Sequence, residues 1–448
     1  MVEGGNLGFT QRGRIEFALA GGIINTDAID NSGGVDCSDH EVNIKILLGD
    51  ALARGELAAD ARNALLAEMT DEVAELVLRD NRAQNRALAL ERSRGIANLD
   101  VQMRFMRYLV AAGRLDRVLE NLPSDATIDE RRAANVGLVT PELAVLLAYN
   151  KMALHDEVLA SDLPDDALLA AVPDAYFPQP LRERHAASIA SHPLRREIIA
   201  TQVANDLVNS VGPSFTHRLH EESGASLADI VRAWLVARDI FGLPELWAAS
   251  AALDGEVAVE VQHSLVHATE NLLARSVLWL LQRPERLRAL SDTIAAFAPG
   301  VLEVARGLPG WLSEQEGSVM ADLAAGLRAQ GLPEALASRV AGLLPLSSAL
   351  DIVELARARE RSVDCVASVY FGLGGRLDFG WLQQQIDALA SEGQWAGLAR
   401  IALREDLTAL ARDLADSVLA QSTSACEAPA LIAAWEAKRE FQLARCAQ

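Results

Sequence analysis

The sequence predicts a mainly α-helical protein, in which a multi-helix C-terminal assembly follows a short piece of an α/β domain. Two observations support this fold class. From residue 51 onwards, apolar residues recur with a period close to 3.6, and no run of alternating β-branched residues competes with that pattern. Before residue 49, paired glycines separate short apolar runs, which is typical of strand ends and turns.

The first 48 residues contain several candidate elements. The stretch "MVEGGNLG" predicts the end of a strand that runs into a glycine-rich turn, and "TQRGRIEFALAGG" predicts a helix ended by Gly21 and Gly22. The stretch "IINTDAIDNSGGVDCSD" predicts a short strand, a loop and a tight turn at Gly33 and Gly34. So little chain cannot complete a sheet, and no G-x-G-x-x-G motif opens a βαβ unit here. We therefore expect strand mainly before about residue 40.

The helical part has two strong start signals. Thr70 precedes two acidic residues and an apolar stripe, and Thr140 precedes Pro141, so both threonines are candidate helix caps. The helix after Pro141 is apolar nearly all round, which predicts burial on several sides. Further helices are predicted at residues 181–210, 226–241, 245–253, 257–282, 319–329, 333–343, 363–373, 379–390 and 395–420. Breaks are predicted at the Pro- and Gly-containing stretches 161–166, 177–180, 241–244, 282–286 and 307–311.

The composition limits the partners and the compartment. The formal net charge of −21 argues against nucleic acid or an anionic membrane surface as the main partner. The four cysteines form no C-x-x-C motif, which fits a reducing cytoplasm. The first residues lack the pattern of a signal peptide, and no apolar run approaches the roughly 20 residues of a membrane span. We expect a cytoplasmic location.

Two groups of polar residues need an interpretation. The stretch "DCSDHE" crowds possible ligands together, but no second cluster supports it, so we expect no metal there and a small core residue at Cys37. Short amides follow one helix face at Gln202, Asn205 and Asn209, together with Asp206. A similar patch comprises Asn81, Gln84 and Asn85. Such stripes indicate either a partly buried polar contact or an ordinary hydrated face.

Two blocks in the opening stretch resemble the glutamate dehydrogenases. Ordinary members have "E-G-A-N-G-P-T-T" where this chain has "EGGNLGFT" from Glu3, and "N-A-G-G-V-x-V-S-Y-x-E" where it has "NSGGVDCSDHE" from Asn31. The amino-acid sequence resembles even more closely the large NAD-specific enzymes of bacteria, whose chains are several times longer. That resemblance continues through "LVTPELAVLLAYNKMAL" and "YFPQPLRERHAASIASHPLRREIIATQVANDLVN" to "VYFGLGGRLDFGWLQQQI". One departure is Ile23, where a basic residue is expected.

The resemblance implies a domain order and a cofactor. Residues 1–48 would be the remnant of a Rossmann-like, NAD-binding catalytic domain. Residues 49–290 and 291–448 would be helical regions, the first of them possibly packing on that remnant. The candidate cofactor-binding residues are Gly4, Gly5, Asn6 and Asn31, whose glycines would admit the nicotinamide half of NAD.

The resemblance also implies a substrate and its reaction. Ser38 is the candidate ligand of the substrate side-chain carboxylate. L-glutamate and 2-oxoglutarate would be substrate and product, in a homo-oligomer. The catalytic Lys and Asp of the family are expected upstream of Met1, so no catalytic residue is assigned and the chain alone is expected neither to bind NAD nor to act. The alternative is a non-catalytic helical module for assembly or regulation.

Overall fold

The computed structural model describes residues 7–389, 394–421 and 427–446. In that part of the chain the regular secondary structure is entirely helical. The chain divides into two compact units, residues 1–232 and 233–448. The predicted mainly α-helical class is confirmed. Gly4, Gly5 and Asn6, together with the strand predicted around them, lie outside the described residues.

The first unit contains thirteen α-helices among its described residues and the start of a fourteenth, which crosses into the second unit. These are α1 Gln11–Leu19, α2 Asp27–Asp30, α3 Ser32–Ala53, α4 Ala59–Glu68, α5 Thr70–Ser93, α6 Leu99–Ala111, α7 Asp125–Ala133, α8 Thr140–Ala160, α9 Val172–Tyr176, α10 Gln179–Arg184, α11 Ala186–Ala190, α12 Arg195–Val211, α13 Phe215–Ser223 and α14 Leu227–Ile240. Short 3-10 turns occur at Gly95–Asn98, Leu163–Asp165 and Ala167–Leu169.

The second unit continues with helices only in its described part. These are α15 Leu243–Ala251, α16 Val259–Leu281, α17 Leu290–Trp311, α18 Glu314–Ala329, α19 Glu334–Ala341, α20 Leu343–Leu346, α21 Ala349–Ala358, α22 Val363–Arg376, α23 Phe379–Ala388, α24 Gln394–Leu419 and α25 Ala428–Cys446, with a 3-10 turn at Pro284–Arg288.

Helix α8 is the central element of the first unit. Its first eight residues, Thr140–Leu147, are all buried, as its apolar sequence predicted. Its start is closed by Glu142, whose carboxylate accepts the backbone N–H of Val139 at 2.9 Å and two hydrogen bonds from Arg131. Helices α1, α5 and α12 pack against α8, and α3 packs against α5. The residues that resemble a catalytic domain are therefore held by the helices that follow them.

The opening stretch departs from its predicted elements. Helix α1 forms as expected, capped by Thr10 and ended near Gly21, whose φ is +92°. The predicted short strand and tight turn are wrong, because residues 22–26 have no regular structure and Gly33 and Gly34 lie in the first turn of α3. The buried face of α3 contains Leu47 and continues towards the N-terminus through the buried polar residues Asn43 and His40. Burial of this face stabilises the helical conformation, so the helix extends through Gly33 and Gly34.

Three helix boundaries also differ from the sequence prediction. The predicted helix 181–210 is divided into α10, α11 and α12, with Pro193 in the second break. The predicted break at 307–311 is wrong, because α17 continues to Trp311 through Pro299 and Pro309 while burying Phe297 and Leu308. Burial of that apolar face outweighs the hydrogen bonds lost at the prolines. Thr70 begins α5 but does not cap it, since its hydroxyl donates back to the carbonyl groups of residues 66 and 67.

The second unit has a buried ionic centre. Asp351 is 2% exposed and accepts a 2.8 Å hydrogen bond from the indole N–H of Trp279. The guanidinium groups of Arg283 and Arg412 lie 3.8 and 3.9 Å from the same carboxylate. This centre ties α16 and α24 to α21. Among the described residues no single helix is long and apolar enough to span a membrane, although the bent pair Glu334–Ala341 and Leu343–Ala358 passes by length and composition alone.

Candidate functional site at the start of helix α3

Helix α3 carries the candidate site residues on one face and a charged cluster on the other. Val35, Ser38 and Val42 fall on its outer face, where Ser38 is exposed and the two valines are 66% and 49% exposed. Asp36 and His40 fall on the inner face, in line with the core residue Leu47. The two faces allow one helix to present a hydroxyl outwards while it packs inwards.

Asn31 is positioned by the backbone at the start of α3. It is half-buried, it ends α2 and it precedes the first residue of α3. A Cβ atom at Gly34 would lie 2.9 Å from Asn31 Oδ1, which is too close, whereas a Cβ atom at Gly33 would meet Val77 at an ordinary 3.8 Å. Glycine at 34 therefore leaves room for the Asn31 carboxamide in its present orientation.

The two glycines provide a matched pair of variants. If Asn31 contacts NAD in a complete enzyme, as the resemblance implies, Gly34→Ala should displace the Asn31 amide and raise the KM for NAD, by about fivefold for the loss of one hydrogen bond of roughly 1 kcal/mol. Gly33→Ala should leave this KM unchanged and stabilise the helix by up to about 1 kcal/mol. Steady-state kinetics at saturating glutamate measure both. Equal NAD dependence in the two variants would remove Asn31 from the cofactor site.

The patch of amides on α5 holds the opening segment. Asn81 Nδ2 donates to Ser32 Oγ at 2.6 Å and to the carbonyl of Ile29 at 3.3 Å. Asn25 Nδ2 donates to Asn85 Oδ1 at 2.7 Å, and Asn85 Nδ2 donates to Asn81 Oδ1 at 3.2 Å. The patch is thus a partly buried polar contact rather than a hydrated face. It fixes the residues on both sides of Asn31.

A buried arginine completes this support. Arg14 on α1 is 0% exposed, and its Nη1 donates at 2.8 Å both to Asp30 Oδ2 and to the carbonyl oxygen of Asn25. Its other terminal nitrogen lies 3.7 Å from Asp27. Because the Asp30 carboxylate is only 5% exposed, one guanidinium neutralises the buried end of α2 immediately before Asn31.

On the inner face, α3 and α5 bring three possible metal ligands together. Asp36 and His40 lie one turn apart on α3, and Asp80 comes from α5; one ligand atom of each lies within 4.8 Å of the others. His40 is 1% exposed, and its ring stacks on the Tyr176 ring at 4.4 Å. The Tyr176 hydroxyl donates to Asp39 Oδ2 at 2.8 Å. The imidazole is therefore held in one orientation by aromatic packing.

The electrostatics of this cluster are dominated by burial. Burial, followed by repulsion from Asp80 and Asp39, raises the pKa of Asp36 to about 6. Burial lowers the pKa of His40 below its ordinary value and keeps the ring neutral. Burial also lowers the pKa of Lys151 on α8 to about 7, against the opposing influence of Asp80, Asp206 and Asp36. We define Asp36, His40, Asp80 and Lys151 as the charged cluster.

Lys151 also lines a cleft between α8 and α12 with a volume of about 410 Å³. Asn205, from the second amide stripe, lines the same cleft and is half-buried, whereas Asp206 is exposed. The other lining residues are Arg114, Tyr149, Met152, His155, Asp156, Thr201 and Ala204. The second amide stripe thus borders an open cleft rather than a closed helix contact.

Sequence reasoning found part of this arrangement. It singled out Asn31 and Ser38, and the structure places them at the start and on the outer face of α3. It missed Asp80 and Lys151, which come from separate helices, and it wrongly placed Cys37 in the core, since that thiol is exposed and free. The signal available for Asp36 and His40 was their i, i+4 spacing ahead of Leu47, which continues the buried helical face.

Comparison with protein families assigns both parts of the chain. Residues 135–448 match the family described as "Glutamate dehydrogenase, C-terminal". The chain belongs to this family. Residues 1–91 match the family described as "Bacterial NAD-glutamate dehydrogenase, catalytic domain". The charged cluster joins the two matches, since Asp36, His40 and Asp80 lie in the first and Lys151 in the second.

Three full-length relatives place this membership in context, all of them NAD-specific glutamate dehydrogenases. The chain is 43% identical to that of Halomonas elongata over 417 residues, which is 93% of this chain and 26% of the relative. It is 41% identical to those of Mycobacterium tuberculosis and Pseudomonas aeruginosa, over 99% and 97% of this chain and 27% of each relative. The chain therefore spans about a quarter of the length of these relatives, and it corresponds to a C-terminal portion.

Proposed function

We propose that this chain is the C-terminal part of an NAD-dependent glutamate dehydrogenase. The reaction converts L-glutamate, NAD⁺ and water to 2-oxoglutarate, ammonium, NADH and a proton. The observation that supports this most strongly is the match of residues 1–91 to the catalytic domain. This segment contains the candidate residues Asn31, directly before α3, and Ser38, on the outer face of α3. Helices α8 and α12, which follow that segment, support it by packing on α1 and α5.

The geometry of α3 supports the proposed role of Ser38. Its hydroxyl lies on the exposed outer face between Val35 and Val42, so a carboxylate can approach it without displacing the core. In this role the hydroxyl donates a hydrogen bond to the side-chain carboxylate of glutamate. The two flanking valines supply an apolar wall, which would exclude water once the rest of a catalytic domain covers this face.

The cofactor would meet the chain at Asn31 and at Gly4, Gly5 and Asn6. Glycine at position 34 leaves the Asn31 carboxamide its present orientation, and an amide side chain can pair with the carboxamide of nicotinamide. NAD supplies the hydride acceptor, and the contribution of this chain is to orient its nicotinamide against the substrate Cα–H. The buried pairing of Arg14 with Asp30 holds Asn31 in place for this task.

Ser38→Ala tests the substrate contact in a complete enzyme. We expect the KM for glutamate to rise and the affinity for NAD to stay nearly constant. One hydrogen bond to a charged group contributes roughly 1.5–3 kcal/mol, which corresponds to an approximately 10- to 150-fold loss in kcat/KM. Initial rates at varied glutamate measure this effect, and Cys37→Ala, on the adjacent exposed position, is the matched control. Unaltered glutamate kinetics in Ser38→Ala would exclude this role.

We further propose a cytoplasmic homo-oligomer as the working form. The thin scatter of four cysteines without a C-x-x-C motif supports the location, and the resemblance supports the assembly. Sedimentation velocity of the complete protein decides the assembly: a single species of several subunits is expected, and a monomer across the working concentration range would contradict it.

A further inference from the structure

We propose that Asp36, His40 and Asp80 form a binding site for a divalent transition-metal cation, with Zn²⁺ as the best-matched ion. The site joins α3 to α5 on the face of α3 opposite Ser38. It departs from the expectation of no metal in the stretch "DCSDHE", because Asp80 of α5 supplies the second source of ligands that the sequence did not reveal. The inference concerns this chain by itself and does not depend on the proposed dehydrogenase activity.

The unpartnered atoms of the cluster are the first support. His40 is 99% buried, yet both ring nitrogens lack a hydrogen-bond partner, and so does the buried Oδ2 of Asp36. A buried imidazole normally donates through one nitrogen and accepts through the other, so leaving both unused is costly. A cation bound to one ring nitrogen and to the carboxylates would satisfy that nitrogen and the Asp36 oxygen together.

The donor set is the second support. Its atoms lie within 4.8 Å of one another, so movements of the order of 1 Å bring them to the contacts of a tetrahedral site with bond lengths of about 2.0–2.2 Å. One imidazole with two carboxylates suits Zn²⁺ better than Mg²⁺ or Ca²⁺, which prefer six or more oxygen ligands. Three protein ligands leave one position for water.

The surrounding charge shows what competes with the cation. Without a cation, the protonated form of Lys151, whose pKa burial lowers to about 7, is attracted to Asp36 and Asp80, while Arg79 pairs with Asp80 at 3.4 Å. Lys151 borders the open cleft, so its amine can move towards solvent when a cation enters. The cation and the Lys151 ammonium are therefore alternative counter-charges for the same carboxylates.

The test is calorimetric titration of ZnCl2 into the whole chain, with MgCl2 and CaCl2 for comparison. We expect one micromolar Zn²⁺ site and weaker binding of the other two ions. Asp80→Asn and Asp36→Asn should each lower the Zn²⁺ affinity at least about tenfold. Both variants remove a like charge and should fold at least as well as the parent. His155→Gln, which changes a half-buried histidine beside the cleft and outside the ligand set, should leave the affinity unchanged.

Lys151→Met separates a cation site from a purely structural charge cluster. It should raise the Zn²⁺ affinity because it removes the competing ammonium, and Zn²⁺ should restore any melting temperature lost in the cation-free variant. X-ray absorption of the Zn²⁺-loaded parent should show nitrogen and oxygen ligands. The proposal is overturned if Asp80→Asn binds Zn²⁺ as tightly as the parent, if the parent shows no such site, or if sulfur from a thiol such as that of the nearby Cys37 is a ligand.

Discussion

Arg14→Met is expected to release the opening segment from the rest of the first unit. The substitution retains most of the buried side-chain volume but removes the guanidinium that donates to Asp30 Oδ2 at 2.8 Å. Removing one partner of a buried ion pair costs about 3–5 kcal/mol, since the remaining charge is left uncompensated in a low-dielectric interior. A cost of 3 kcal/mol corresponds to a more than 100-fold loss of protection. Hydrogen–deuterium exchange of the amides in α1 and α2 measures it directly.

A double-mutant cycle assigns this effect to charge. Adding Asp30→Asn to Arg14→Met should recover part of the lost protection, because the uncompensated carboxylate becomes neutral. Arg12→Met is the matched control on the same helix, where the arginine is exposed and pairs with the exposed Glu16. Protection that is unchanged in Arg14→Met, or lost equally in Arg12→Met, would show that the buried pair does not hold the segment.

Glu91→Ala is expected to cause a large loss of stability. It affects the junction between the two segments that match families, residues 1–91 and residues 135–448. Glu91 is 1% exposed, and its Oε1 accepts hydrogen bonds from Asn98 Nδ2 at 2.7 Å, Gln102 Nε2 at 2.8 Å and Ser214 Oγ at 3.0 Å. Arg94 lies 3.6 Å from its other oxygen. Alanine removes the acceptor that the half-buried Asn98 and the buried Gln102 and Ser214 share, at a cost of about 3–5 kcal/mol.

The measurement is the midpoint of urea-induced unfolding, monitored by circular dichroism, for the parent and the variant. Glu91→Gln should have a smaller effect, because its amide oxygen can still accept some of these hydrogen bonds. Glu75→Ala changes an exposed position on the same helix α5. It is the control and should unfold like the parent. If Glu91→Ala and Glu75→Ala unfold at the same urea concentration, the buried carboxylate does not stabilise the junction.

The sequence predicted the features that local periodicity and caps determine. The helix ended near Gly21 and the buried helix after Pro141 follow from spacing within a few turns, whereas the amide patch at Asn81 and Asn85 left two alternatives that only the structure decides. The α3 helix was missed because its first turn contains Gly33 and Gly34, which in isolation favour a turn. Burial of the face containing Leu47 outweighs this local preference, and that burial depends on distant helices.

The candidate site was predictable only in part for the same reason. Asn31 and Ser38 belong to a contiguous block, so a resemblance can locate them. Asp80 approaches Asp36 only because α3 packs on α5, and Lys151 influences both only because α8 packs on α5. No local spacing encodes these two packings, since the residues are separated by more than forty positions of chain.

The central proposal is that this chain is the C-terminal part of an NAD-dependent glutamate dehydrogenase. Its most direct test is a chimera in which the chain replaces the matching C-terminal portion of the Halomonas elongata NAD-specific glutamate dehydrogenase, to which it is 43% identical. The measurement is glutamate-dependent NADH formation, with the chain alone as the blank. We expect the turnover rate of the chimera to lie within about tenfold of that of the parent enzyme, which corresponds to an increase in activation free energy below roughly 1.4 kcal/mol. We expect no turnover from the chain alone. A folded chimera that binds NAD but does not oxidise glutamate would contradict it.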